Sequence, residues 1–89
     1  MNIEILGFNQ EYTNKYQTAW KHPLGCRAFV KRNYKGRIRW KYYAYNGLTQ
    51  CGGGSNYTTY EEAYNMLVYV LNHKKNELKD IDFFPKGET

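Results

Sequence analysis

Two segments rich in β-formers, residues 37–45 and 48–52, meet at Asn46-Gly47. Both central residues of a type I′ turn need positive φ, and Asn-Gly meets that need with little strain, so the dipeptide predicts a tight antiparallel hairpin. Residues 26–32 are also rich in β-formers and connect to 37–45 through Asn33-Tyr34-Lys35-Gly36. A three-stranded meander follows. Along its middle strand Arg37, Arg39 and Lys41 point one way, and Ile38, Trp40, Tyr42 and Ala44 the other. That is a half-buried strand with a basic outer face.

The register of the first hairpin has two solutions. An odd-length loop with Gly36 at a bulge puts Cys26, Ala28 and Val30 on the inner face with Ile38, Trp40 and Tyr42. Arg27, Phe29 and Lys31 then join Arg37, Arg39 and Lys41 outside. A four-residue loop instead turns Phe29 inward beside Trp40, and Arg27 and Lys31 follow it, because a one-residue slip exchanges the faces completely. The first is favoured because it groups the small apolar residues under a helix.

That helix is expected over residues 59–76, after Gly52-Gly53-Gly54-Ser55-Asn56. Thr59 and Glu62 fit a capping box, and Glu61 and Glu62 suit the positive helix start. Ala63, Met66, Leu67, Val70 and Leu71 form an apolar stripe, with Leu78 beyond it, and Lys74 and Lys75 suit the carboxyl end. Upstream, residues 3–8 are expected as a strand, 9–15 as a loop, and 16–20 as a strand with Tyr16, Thr18 and Trp20 on one side. His22-Pro23-Leu24-Gly25 ends it. Residues 80–89, with Phe83-Phe84 before Pro85, either fold back or fray.

The fold class is therefore α+β: an antiparallel sheet of three to five strands packed against one C-terminal α-helix. With 89 residues there is room for one domain, 1–89, whose core is expected at about residues 25–78. Trp40, Ile38, Ala28, Val30, Met66, Leu67 and Val70 are its expected core residues. The longest apolar run, residues 66–71, falls far short of the roughly 20 residues that cross a bilayer. The first residues lack a signal-peptide core. The expectation is a cytoplasmic, intracellular protein (in the host cell if phage-encoded) with no membrane partner.

Charge is distributed very unevenly. Residues 12–60 carry nine cations and no carboxylate, and eight of those cations lie between Lys21 and Lys41. Ordinary solvated surfaces mix both signs, so such a stretch points to phosphates or to an acidic protein patch, unless it only keeps a small domain soluble. The chain's net +5 excludes a DNA-mimic inhibitor, which must be strongly acidic. Aromatic residues make up 18% of the chain, more than so small a core can enclose, so some of Tyr34, Tyr42, Tyr43 and Tyr45 must lie beside the cations. Tyrosine serves equally for stacking on bases and for packing in a protein interface.

Enzyme and cofactor motifs are incomplete. No Lys follows the glycines as a phosphate loop requires, and there is no Gly-x-Gly-x-x-Gly fingerprint, so the glycine run is expected to be a flexible connector. Cys26, Cys51, His22 and His73 lack the close pairing of a structural zinc site. The cysteines fall on strands separated by a third, about 10 Å apart at two inter-strand spacings, too far for a disulfide. No paired carboxylates sit in an apolar context. A non-enzyme without cofactors or metal is expected.

Three strands followed by Tyr57-x-Thr59-x-Glu61-Glu62-Ala63 resemble the three-stranded-sheet-plus-helix DNA-binding domain of plant ethylene-response factors. The same arrangement resembles the amino-terminal arm-binding domain of tyrosine-recombinase integrases. In both, an aromatic ends the third strand, Thr caps the helix and Glu-Ala begin it. The resemblance covers residues 25–72 and departs at the glycine run, where those families carry side chains. It implies that the exposed sheet face, with Arg27, Arg37, Arg39 and Lys41, lies in the DNA major groove.

The expected function is nucleic-acid binding, to duplex DNA, by that sheet face. Its expected contact residues are Arg27, Lys31, Arg32, Lys35, Arg37, Arg39, Lys41 and Tyr43. The alternative is a phage- or mobile-element-encoded inhibitor of a host defence or other host protein, docking on an acidic surface. A short Tyr-, Asn- and Lys-rich chain has the build of small phage accessory proteins, and Tyr and Arg are favoured interface anchors.

Overall fold

In a computed structural model, which describes residues 2–23, 25–33 and 37–77, five antiparallel strands follow one another in sequence order and one helix closes the chain. The strands are β1 (Asn9–Thr13), β2 (Gln17–Lys21), β3 (Cys26–Asn33), β4 (Arg39–Asn46) and β5 (Thr49–Tyr57), and the helix is α1 (Tyr60–Glu77). Sheet order equals chain order, so every connection joins neighbours and no crossover is needed. The helix lies on one face of β3, β4 and β5. The α+β architecture is as expected.

The favoured register is the observed one. Ala28 pairs with Ala44 and Val30 with Tyr42, all buried on the helix side, while Phe29 pairs with Tyr43 and Lys31 with Lys41 on the other. Arg39, opposite Asn33, belongs to the outer face, and Trp40 turns inward to meet Tyr60 edge-to-face at 5.4 Å. Residues 34–36, including Tyr34, Lys35 and Gly36, lie outside the described residues. So do Leu78 and residues 80–89 with Phe83-Phe84.

Several elements differ from expectation, each for a physical reason. Residues 3–6 form a short 3-10 helix, Ile3–Leu6, not a strand. Its buried residues Ile3 and Leu6 are three apart while Ile5 is 69% exposed, which is a helical period. Together with Phe8 they join the core, which therefore extends well outside residues 25–78. Residues 9–13, expected as loop, are edge strand β1, and every one of them is exposed. A strand with no buried face carries no hydrophobic alternation to read.

The β4–β5 turn is shifted by one residue. Asn46 pairs with Thr49, leaving Gly47 and Leu48 as the two central residues. Gly47 has φ +62° and Leu48 lies outside the left-handed region, the type II′ pattern in which only the first central position needs positive φ. β4 starts at Arg39, so Arg37 precedes the strand and Ile38, expected in the core, is 52% exposed.

The helix face is rotated slightly from the expected stripe. Ala63, Leu67, Val68 and Leu71 are its buried residues, with Tyr60 and Tyr64 half-buried beside them, while Met66 and Val70 sit on the flank. Tyrosines contribute because their phenols find polar partners at the core's edge. Tyr60 Oη donates to Thr18 Oγ1 at 3.1 Å, and the Ile3 N–H donates to Tyr64 Oη at 3.1 Å. The capping box forms as expected: the Glu62 N–H donates to Thr59 Oγ1 at 3.1 Å, and Thr59 donates back to Glu62 Oε1 at 3.3 Å. Thr58 donates to the same carboxylate oxygen.

The glycine run is strand, not connector. A Cβ on Gly52 would stand 3.2 Å from Val70 Cγ1, and one on Gly54 would stand 2.7 Å from the Tyr42 ring. Close approach of α1 and of the Tyr42 ring to β5 accounts for glycine at both positions.

Candidate nucleic-acid interface

Because side chains alternate along a strand, the register assigns each residue of β2, β3 and β4 to a face. The face away from α1 is built in cross-strand rows. One row runs Lys21, Arg27, Tyr45, Gln50, and the next runs Tyr12, Ala19, Phe29, Tyr43, Gly53. Then come Gln17, Lys31 and Lys41, and last Asn33 and Arg39. Aromatic rings occupy the middle and cations the flanks.

The rings are in contact with each other and with those cations. Phe29 and Tyr43 stack with centroids 4.7 Å apart and planes 20° from parallel, and Tyr45 meets Tyr43 edge-on at 5.8 Å. Arg27 lies 5.4 Å from the Phe29 centroid, and Lys41 Nζ lies 5.9 Å from that of Tyr43. Ala19 is fully buried although it faces outward, so this aromatic layer is a second, smaller hydrophobic cluster. Burial, then the neighbouring phenols of Tyr12 and Tyr45, raise the Tyr43 pKa above its ordinary 10.0. The ring is therefore an uncharged surface at any physiological pH.

The cations are not equivalent. Arg27 is engaged by Glu11, with Nη2 at 2.7 Å from Oε1 and Nε at 3.3 Å from the same atom. Glu11 sits at the irregularity in β1 between Gln10 and Tyr12. It was counted outside the carboxylate-free stretch, yet the sheet brings it to the basic face. Lys31 and Lys41, by contrast, are directly opposed, and like charges so placed repel. The Arg39 guanidinium donates to the Ile38 carbonyl at 2.8 Å.

Of the remaining expected contact residues, Arg37 is exposed just before β4, and Lys35 is outside the described residues. Arg32 pairs with Trp40 and so lies on the helix side, with its guanidinium 5.7 Å from the Tyr16 centroid and its Nε buried without a hydrogen-bond partner among the described residues. It cannot share a flat ligand with Lys31. Lys21, which the sequence reading did not single out as a contact, stands opposite Arg27. Its alternation with Ala19 on β2 was the available signal.

On the β5 side the layer opens into a cleft of about 460 Å³ whose lining includes Lys41, Tyr43, Tyr45, Gln50, Gly53 and Ser55, with Tyr42 and Gly54 also reaching it. No group of three or more metal-ligating side chains occurs among the described residues. Cys26 is buried on the inner face of β3. Among the described residues no helix is long and apolar enough to cross a membrane. Comparison with protein-family models, with curated proteins and with solved structures finds no match to this chain.

Proposed function

We propose that this protein binds nucleic acid through the face of its sheet away from α1, with phosphates held by Lys21, Lys31, Arg39 and Lys41. One observation carries the reading: Lys31 and Lys41 are placed side by side with an aromatic row next to them. Two opposed ammonium groups cost stability in the free protein, and a phosphate between them turns that cost into attraction. The same face offers uncharged rings, which suit bases. Glu61 and Glu62 begin the helix on the other side of the sheet, away from the opposed lysines, so they do not repel a polyanion that approaches this face.

The test is a salt titration of binding to random-sequence DNA. Four phosphate contacts give a slope of log affinity against log salt of about −3 to −4, with Arg27 largely neutralised by Glu11. The Lys31→Ala/Lys41→Ala double variant should lower that slope by roughly 1.5 to 2 while retaining its fold. A flat salt response, or undiminished affinity in the double variant, overturns the proposal.

A further inference from the structure

We propose that the cleft over Gly53 is a slot for one unpaired nucleobase stacked against Tyr43, so that the ligand of this sheet is a single strand. This rests on the sheet-face reading above and narrows it. The central row places Phe29, Tyr43 and Gly53 on three successive strands. The first two carry stacked rings 4.7 Å apart, one strand spacing, and the third has no side chain. A flat ring at the next step along the row would take the place of the Gln50 amide over Gly53.

The three glycines of β5 separate this position from its neighbours. Gly52 faces α1, where a Cβ would press on Val70 at 3.2 Å, and Gly54 faces the Tyr42 ring, where a Cβ would collide at 2.7 Å. Gly53 faces the other way. Its φ lies outside the left-handed region, so the backbone does not require glycine there. A Cβ there would stand 2.5 Å from Nε2 of Gln50, the far end of a flexible side chain that donates to the Gly52 carbonyl at 3.3 Å, and 3.6 Å from the Tyr42 carbonyl. What glycine provides at this position is room for that amide, which a base stacked against Tyr43 would displace.

The cleft's chemistry suits a base with its phosphate. Tyr43 and Tyr45 offer apolar walls, the Gln50 amide and Ser55 hydroxyl offer donors and acceptors at the rim, and Lys41 supplies the charge. Its volume of about 460 Å³ leaves room for a base, and the cleft is open to solvent, so the attached backbone can run out of it. A duplex cannot use such a slot, because its bases stack on one another and show only their edges.

The experiment measures binding of the full chain to labelled oligothymidylate, oligouridylate and a duplex of matched phosphate count at low salt. Wild type should prefer at least one single strand to the duplex by about tenfold. Gly53→Val keeps a good strand former and fills the slot; it should lose about tenfold on that strand, with duplex affinity and salt slope unchanged. Tyr43→Leu keeps cover over Phe29 but removes the flat face, and should show the same selective loss. Thermal melting confirms that both variants are folded. Equal binding of strand and duplex, with Gly53→Val indistinguishable from wild type, overturns the slot and leaves the sheet-face reading standing. No binding to any of the three overturns both.

Discussion

Lys31 and Lys41 stand directly opposite each other across β3 and β4, both half-buried on the sheet face away from the helix. Directly opposed like charges cost roughly 0.2–1 kcal/mol relative to a neutral pair. Lys31→Glu converts repulsion into a cross-strand ion pair. Denaturation should show stability raised by up to about 1 kcal/mol. The salt slope for nucleic acid should become shallower by about 1. Opposite signs in the two measurements identify a pair kept for binding; a fall in both identifies a structural pair.

The β5 glycines give a second contrast. On Gly54 a Cβ meets the Tyr42 ring at 2.7 Å and Tyr57 Oη at 2.9 Å, both packed in or against the main core. Gly54→Ala should therefore destabilise by about 1–3 kcal/mol through overpacking. On Gly53 the obstacle is a flexible amide, and Gly53→Ala should be neutral or stabilising by up to about 1 kcal/mol through reduced freedom of the unfolded chain. Urea denaturation of the two variants checks the order.

What was legible in the sequence is what carries a buried period. The alternation in residues 38–44 and the capping box at Thr59 specified β4 and α1, and grouping Ala28 with Val30 chose the register. Edge strand β1 was invisible because all five of its residues are exposed. The glycine run read as a connector because its reason lies in distant residues, Val70 and Tyr42. The basic face was legible as charge but not as geometry. Arg32 adds to the charge of the stretch, but alternation with Lys31 along β3 puts it on the helix side. Glu11 reached Arg27 only through an irregularity in β1.

Tyr64 ties the amino-terminal segment to the helix, since its hydroxyl accepts from the Ile3 N–H at 3.1 Å. Tyr64→Phe keeps the ring against Trp20 (centroids 5.6 Å apart) and removes only the acceptor. The part-buried amide then loses its partner, and stability should fall by about 1–2 kcal/mol. Hydrogen exchange at the Ile3 amide should accelerate more than exchange in β3.

At the start of α1, hydrogen bonds from Thr58 and then Thr59 hold the Glu62 carboxyl below its ordinary 4.5. A depressed folded-state pKa means that the contribution is fully present above the unfolded value. It is lost as pH falls below about 4.5 and through the folded pKa. Thr58→Ala/Thr59→Ala should lower stability at neutral pH, the lost cap alone costing about 0.5–2 kcal/mol. It should also flatten the acid limb of the stability profile. An acid limb unchanged in the double variant assigns acid sensitivity to other carboxylates.

Arg32 and Arg39 have the same chemistry on opposite faces of one sheet. Arg32 lies on the helix side, against the Tyr16 ring, with its Nε buried. Arg39 lies on the outer face, where its guanidinium donates to the Ile38 carbonyl. A phosphate on the outer face can take the second and cannot reach the first. Arg39→Ala should make the salt slope shallower by about 0.7–0.9, the share of one phosphate, with little change in stability. Arg32→Ala should leave the slope unchanged and alter stability instead, because it removes stem packing along with the buried nitrogen. The pair controls for net charge, since each variant removes one positive charge from the same molecule. If both lower the slope equally, binding follows total charge and the sheet face has no special part in it.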